Sequence, residues 1–289
     1  MVRSLVLRGA LAGAVAGIVA SVYSLLVAEP LVSAGIDYES ARDEASDALA
    51  VAAGQAPAEA GPDVVSRGVQ STVGIATGVV GLGIALGLVL ALAFALYLGR
   101  AGRIAPRRLA LLLAAGGFGA LYAVPFLKYP ANPPSIGHES TISDRTGLYL
   151  VMVVSSVVVA VLAAVVGQRL APRCGNWTAT LLAGAGFVVV VGVIGGLLPS
   201  LGELAANVAA YGPQATETPQ PLTDAAGRIV LGGFDADLLY EFRLSSIITQ
   251  LLLWGVLGLV FAPLAERVVS SRPTTTAPVA AEPDAAPVG

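Results

Sequence analysis

Charge is scarce in this chain. Only 12% of its 289 residues are Asp, Glu, Lys or Arg, about half the share of an ordinary soluble domain. With 56% hydrophobic residues and a mean hydropathy of +0.80, that shortage excludes a soluble globular fold and predicts an all-α polytopic membrane protein. The single cysteine, Cys174, excludes an internal disulfide and a thiolate metal cluster. One histidine, His138, excludes a multi-histidine metal centre, and there is no Ser/His/Asp set, so the chain does not read as an enzyme. The only lysine, Lys128, is not in a G-x-x-x-x-G-K-[ST] loop, which leaves the chain without a visible ATP motor. A net charge of −3 with no long basic run gives nucleic acid no purchase.

What the chain has in abundance is apolar sequence. Runs over about residues 4–27, 68–98, 109–127, 146–166, 178–198 and 244–264 are each long enough to cross about 30 Å of hydrocarbon, so six spans are expected in a transmembrane domain of residues 1–269. A short disordered tail, 270–289, should follow on the cytoplasmic side. The first run extends past any signal-peptide cleavage site to Val27 and reads as a retained helix. Alternating the loops places ten of the 16 basic residues inside with three of the 19 acids, leaving +7 inside and −10 outside. Both termini then face the cytoplasm. The acids of the outer loops, among them Asp37, Glu39, Asp43, Glu44 and Asp47, would concentrate small cations, although such loops also follow from topology alone. Segments 49–64 and 212–228 read as irregular. Each inward-running helix opens with an arginine, Arg67, Arg145 or Arg243, a pattern compatible with three hairpin repeats.

The connector from Pro125 to Gly147 organises the rest. Four prolines, Pro125, Pro130, Pro133 and Pro134, fix φ and withhold amide donors, so an extended path is expected. It carries Lys128, Tyr129, Asn132, His138, Glu139 and Asp144. Lys128 with Tyr129 reads either as an interfacial anchor or as the mouth of a path. His138, Glu139 and Asp144 offer nitrogen and oxygen donors for first capture of a metal cation, and Glu29 and Glu203, at the outer ends of the first and fifth spans, could add carboxylates. Glycines at Gly9, Gly13 and Gly17, at Gly74 and Gly78, and at Gly83 and Gly87 allow close helix approach. Internal packing is the expected use, with a homo-oligomer or a docked partner helix as the alternatives.

Four sequence blocks resemble the CbtA-type cobalt transporter subunit family. They are Arg8-Gly9-Ala10-Leu11-Ala12-Gly13 with Glu29-Pro30, Ser66-Arg67-Gly68-Val69-Gln70, the run Pro125-Phe126-Leu127-Lys128-Tyr129-Pro130-Ala131-Asn132-Pro133-Pro134, and Phe242-Arg243-Leu244-Ser245-Ser246 through Thr249-Gln250-Leu251. The resemblance implies an inner-membrane, multi-pass subunit of a bacterial cobalt uptake system linked to cobalamin supply. It also implies a small one-helix partner with a histidine-rich end, and motif roles for Arg67, Gln70, Arg243 and Gln250. Five spans are usual for that family, against the six expected here. Cobalt(II) would be cargo rather than a resident cofactor, since one histidine and a few acids suit transient handling and not a tight cage. The rival reading is a non-transporting assembly or regulatory membrane subunit.

Overall fold

In the computed structural model, residues 1–56, 68, 70–100 and 104–270 are described, and they are predominantly helical. Helix α1, Val2–Tyr23, runs through a π turn at Ser24–Ala28 directly into α2, Glu29–Ala52. A second π turn, Gln70–Gly74, leads into α3, Ile75–Tyr97. Helix α4, Pro106–Phe118, passes through the π turn Gly119–Ala123 into the short α5, Val124–Lys128. After the connector comes α6, Ile142–Leu197, then α7, Ala205–Tyr211, a two-stranded antiparallel ribbon of β1, Leu222–Thr223, and β2, Ile229–Leu231, and finally α8, Ala236–Ser270.

Two of the π turns have a common cause. Pro30 and Pro125 each lack an amide proton, so the carbonyl four residues earlier, Leu26 or Leu121, loses its α-helical donor. Both carbonyls lie inside the π turns, at Ser24–Ala28 and Gly119–Ala123, where the wider winding accommodates the gap without ending the helix. The first helix therefore does not stop at Glu29-Pro30 as expected. It continues to Ala52, so the acids from Asp37 to Asp47 stand on a helix and not in a loop.

Among the described residues five helical runs are long and apolar enough to cross a membrane: Val2–Ala52, Ser71–Tyr97, Pro106–Lys128, Ile142–Ala209 and Ala236–Ser270. The runs expected at 146–166 and 178–198 fall together in the fourth, where α6 is broken at Gly175 with φ 79° and ψ 158°. That left-handed φ suits glycine. The two arms turn back on each other there, since a Cβ on Gly167 would lie 3.3 Å from that of Ala183 and one on Gly195 would lie 3.7 Å from the Met152 methyl.

Helices α1, α3, α4 and α8 form the core. Leu5, Phe94, Leu257 and Phe261 are fully buried, and Phe94 meets Phe261 edge to face at 5.6 Å. Along the α1–α3 seam Gly9 lies on the Gly87 backbone, Gly13 on Gly83 and Gly17 on Val80, so no side chain fits between the two helices. The glycine spacing thus serves internal, antiparallel packing. Gly78, by contrast, faces open space. On α8, Trp254 lies over Gly117 of α4, and the Arg8 guanidinium donates to the Leu264 carbonyl at 2.7 Å. The α6 hairpin stands to one side, joined mainly through a smaller cluster of Tyr129, Met152 and Val191.

The candidate functional site beneath the proline connector

Non-helical backbone occupies Tyr129 to His138, a shorter stretch than the sequence suggested, because Pro125 remains helical and α6 begins at Ile142. Ser135 and Gly137 take positive φ of 71° and 104° and fold the chain back under itself. At Gly137 the positive φ favours glycine, and a Cβ there would also displace the Arg145 guanidinium from beside Glu217.

Among the described residues, Lys128, Arg145 and Arg243 hold the connector. Lys128 Nζ donates to the Leu198 carbonyl at 2.8 Å and lies 5.5 Å from the Tyr129 ring centre. Tyr129 donates its hydroxyl to the Pro199 carbonyl at 2.8 Å. Together they clamp the connector to the carbonyl end of α6, where a positive charge also meets the negative end of the helix dipole. Arg243, on the first turns of α8, donates to the Ala131 carbonyl at 3.3 Å and to Asn132 Oδ1 at 2.7 Å. Arg145, on the first turn of α6, donates to the Ile136 carbonyl at 3.2 Å and the His138 carbonyl at 3.4 Å. Helix α2 closes the other side, with Gly35 against Pro133 and Pro134. Its Tyr38 packs edge to face on Phe234, and Arg42 donates to the Gln220 carbonyl at 2.8 Å.

The centre of this assembly is Glu217, which sequence reasoning missed. Its side chain is 1% exposed and its Oε1 accepts from Thr141 at 2.8 Å and Asn207 at 2.6 Å, while Arg145 Nε lies 3.4 Å from Oε2. Asn207 also donates to the Leu201 carbonyl at 2.8 Å. One carboxylate thus ties the connector, α6, α7 and the segment before β1 together. With two hydrogen bonds on Oε1 and the Arg145 charge beside Oε2, this buried carboxylate acts as a lock, because a metal ion would have to compete with the Arg145 charge and the Oε1 donors. The only sequence signal was that Glu217 is the sole acid between Glu203 and Asp224.

The residues expected to bind metal lie around this lock and not in it. His138 is exposed, with Nδ1 2.9 Å from the Ser140 hydroxyl. Asp144 is exposed on the first turn of α6, and Glu139 opens the 3-10 turn Glu139–Thr141. Glu203 closes a capping box, accepting the Ser200 amide at 2.9 Å. Hydrogen bonds from Ser200, followed by the Lys128 charge, hold its carboxyl below the usual range. Glu29 accepts from Ser33 at 3.1 Å. Among the described residues no group of three or more His, Cys, Asp and Glu side chains is placed to hold a metal ion. Gln70 opens its π turn and Gln250 is half-buried on α8, whereas Arg67 lies outside the described residues.

Long apolar helices joined through a polar, arginine-pinned cap define a multi-pass α-helical membrane protein. The comparison with known families sharpens this, because residues 2–266 match the family described as "Probable cobalt transporter subunit (CbtA)". The chain belongs to that family. No curated protein and no solved structure matches it.

Proposed function

We propose that this chain is the membrane-embedded subunit of a system that carries cobalt(II) into a bacterial cell across the inner membrane, in support of cobalamin supply. The observation that carries the reading is the family match over residues 2–266, which reaches each of the five long apolar helices of the described residues. A small one-helix partner with a histidine-rich end supplies metal selectivity, because oxygen ligands and one imidazole alone favour nickel or copper over cobalt. The chain crosses the membrane six times with both termini inside, the reversal at Gly175 dividing α6 into two passages; the side distribution of arginines supports this. A divalent cation entering down about 100 mV gains about 4.6 kcal/mol, enough for roughly thousandfold accumulation without ATP.

Capture takes place at the rim of the cap, where His138 and Asp144 are exposed beside the α6 start, with Glu139, Glu29 and Glu203 as further carboxylates. His138 and Asp144, exposed to solvent, suit a site that must release its ion. The test is cobalt content in cells expressing the chain with its partner. Replacing His138 by Ala should reduce uptake at limiting cobalt and leave the saturating rate little changed, whereas wild-type kinetics at limiting cobalt would remove His138 from the mechanism. The rival assembly-subunit reading relied on glycine faces free to dock other helices, and it is weakened by the burial of Gly9, Gly13 and Gly17 within the α1–α3 seam.

A further inference from the structure

Between α4 and the two arms of α6 lies a cavity of about 1160 Å³. Its walls are small or apolar, with Leu112 and Gly116 on one side and Ala160, Ala164, Ala183 and Phe187 on the other. Toward the other end Arg100 and Arg108 line it, together with the amides of Gln168 and Asn176, and among the described residues no acid contributes. Helix α4 starts beside these arginines, with no side-chain cap at Ala105, so the positive end of its dipole lies near that end. Two guanidiniums and an uncapped helix N-terminus repel a divalent cation, which excludes this cavity as the route for a metal ion. They attract an anion.

We propose that this cleft holds an anionic phospholipid, its phosphate at Arg100 and Arg108 and its acyl chains along the small-residue walls. Basic pockets between membrane helices commonly take such headgroups. The volume exceeds the roughly 300–1,000 Å³ of ordinary small-molecule pockets, and the apolar walls give a free inorganic anion nothing beyond the mouth. The α6 hairpin also lacks protein contact where a lipid would supply it. Its most apolar window is only 11% buried, against 28% to 39% for the other long helices, and its contacts gather at the Tyr129–Met152–Val191 end. A lipid in the cleft would support the other half of the hairpin, whichever ion the protein carries.

The experiment is native mass spectrometry of the full-length, delipidated protein in detergent, titrated with phosphatidylglycerol or with phosphatidylcholine of the same acyl chains. The wild type should take up one phosphatidylglycerol about tenfold more tightly than phosphatidylcholine. Arg100→Gln with Arg108→Gln should abolish that preference while retaining a monodisperse protein. Ala164→Trp, which fills the wall and keeps both arginines, should weaken both lipids. Equal affinities in the wild type would overturn the proposal, as would a preference that survives in the double variant. Displacement of phosphatidylglycerol by millimolar inorganic phosphate, with Ala164→Trp still binding normally, would reassign the site to a free anion. A co-purifying helical polypeptide that blocks lipid uptake would reassign it to a protein.

Discussion

Replacing Glu217 by Ala should open the cap while leaving the helix bundle intact. The substitution removes two hydrogen bonds to a charged acceptor, from Thr141 at 2.8 Å and Asn207 at 2.6 Å, each worth about 1.5–3 kcal/mol. It also leaves Arg145 without its carboxylate partner, although Arg145 is 25% exposed and recovers part of that loss from water. The expected cost of local opening is about 3–5 kcal/mol, the usual result of breaking a buried pair from one side. Glu217→Gln keeps an acceptor for Thr141 and should cost about 1–3 kcal/mol. Hydrogen–deuterium exchange in detergent reads this directly, because amide protection falls tenfold for every 1.4 kcal/mol of opening energy lost. The amides of Thr141 and Glu203, bonded to the His138 and Ser200 carbonyls, should lose roughly a hundredfold or more in Glu217→Ala, with α1 and α3 unchanged. Adding Arg145→Ala to Glu217→Ala should cost less than the sum of the single changes, since the second partner is already unpaired. Protection within threefold of wild type around Thr141 would refute Glu217 as the lock.

Topology can be read with reporter fusions: one after Arg272 and one near Gly102 should report cytoplasm, while one at Gly212 should report the exterior. A C-terminal reporter found outside would replace six passages by five. Lys128→Ala should loosen the join between the connector and the Leu198 end of α6 and lower thermal stability by about 1–2 kcal/mol, with Lys128→Arg recovering most of it; an unchanged melting temperature for Lys128→Ala would contradict the clamp. Because the Glu203 carboxyl is held below its usual value, its capping contribution is present above the ordinary carboxylate pKa and disappears as pH falls through the depressed one. A Glu203→Gln protein should therefore lose the acid-dependent part of wild-type stability, and identical pH profiles would count against that role.

The helices were legible in the sequence because a bilayer demands long uncharged runs, and the glycine seam was legible because only Gly9, Gly13 and Gly17 keep the spacing for backbone contact with Gly83 and Gly87. The importance of the proline connector was legible for a similar reason, since prolines and the lone lysine stand out against an Ala, Leu and Val background. How it is held was not. Arg243 reaches Ala131 and Asn132 from 112 and 111 residues away, and Glu217 reaches Thr141 across 76, distances over which local pattern carries no information. Pro30 misled for a physical reason: a proline after a π turn continues a helix that the same proline would otherwise start or stop. Gly175 was hidden inside an expected loop, yet helix persists on both sides of it and the reversal is confined to one residue.

The central claim is that this chain, with its partner, moves cobalt down the membrane potential, and the most direct measurement is radiolabelled cobalt uptake into proteoliposomes containing both, with the potential set by a potassium gradient and valinomycin. At an inside-negative potential of about 100 mV, cobalt should accumulate toward a thousandfold and drain when the potential is collapsed. Uptake no greater than in protein-free vesicles, with both chains present and the potential maintained, would contradict the account.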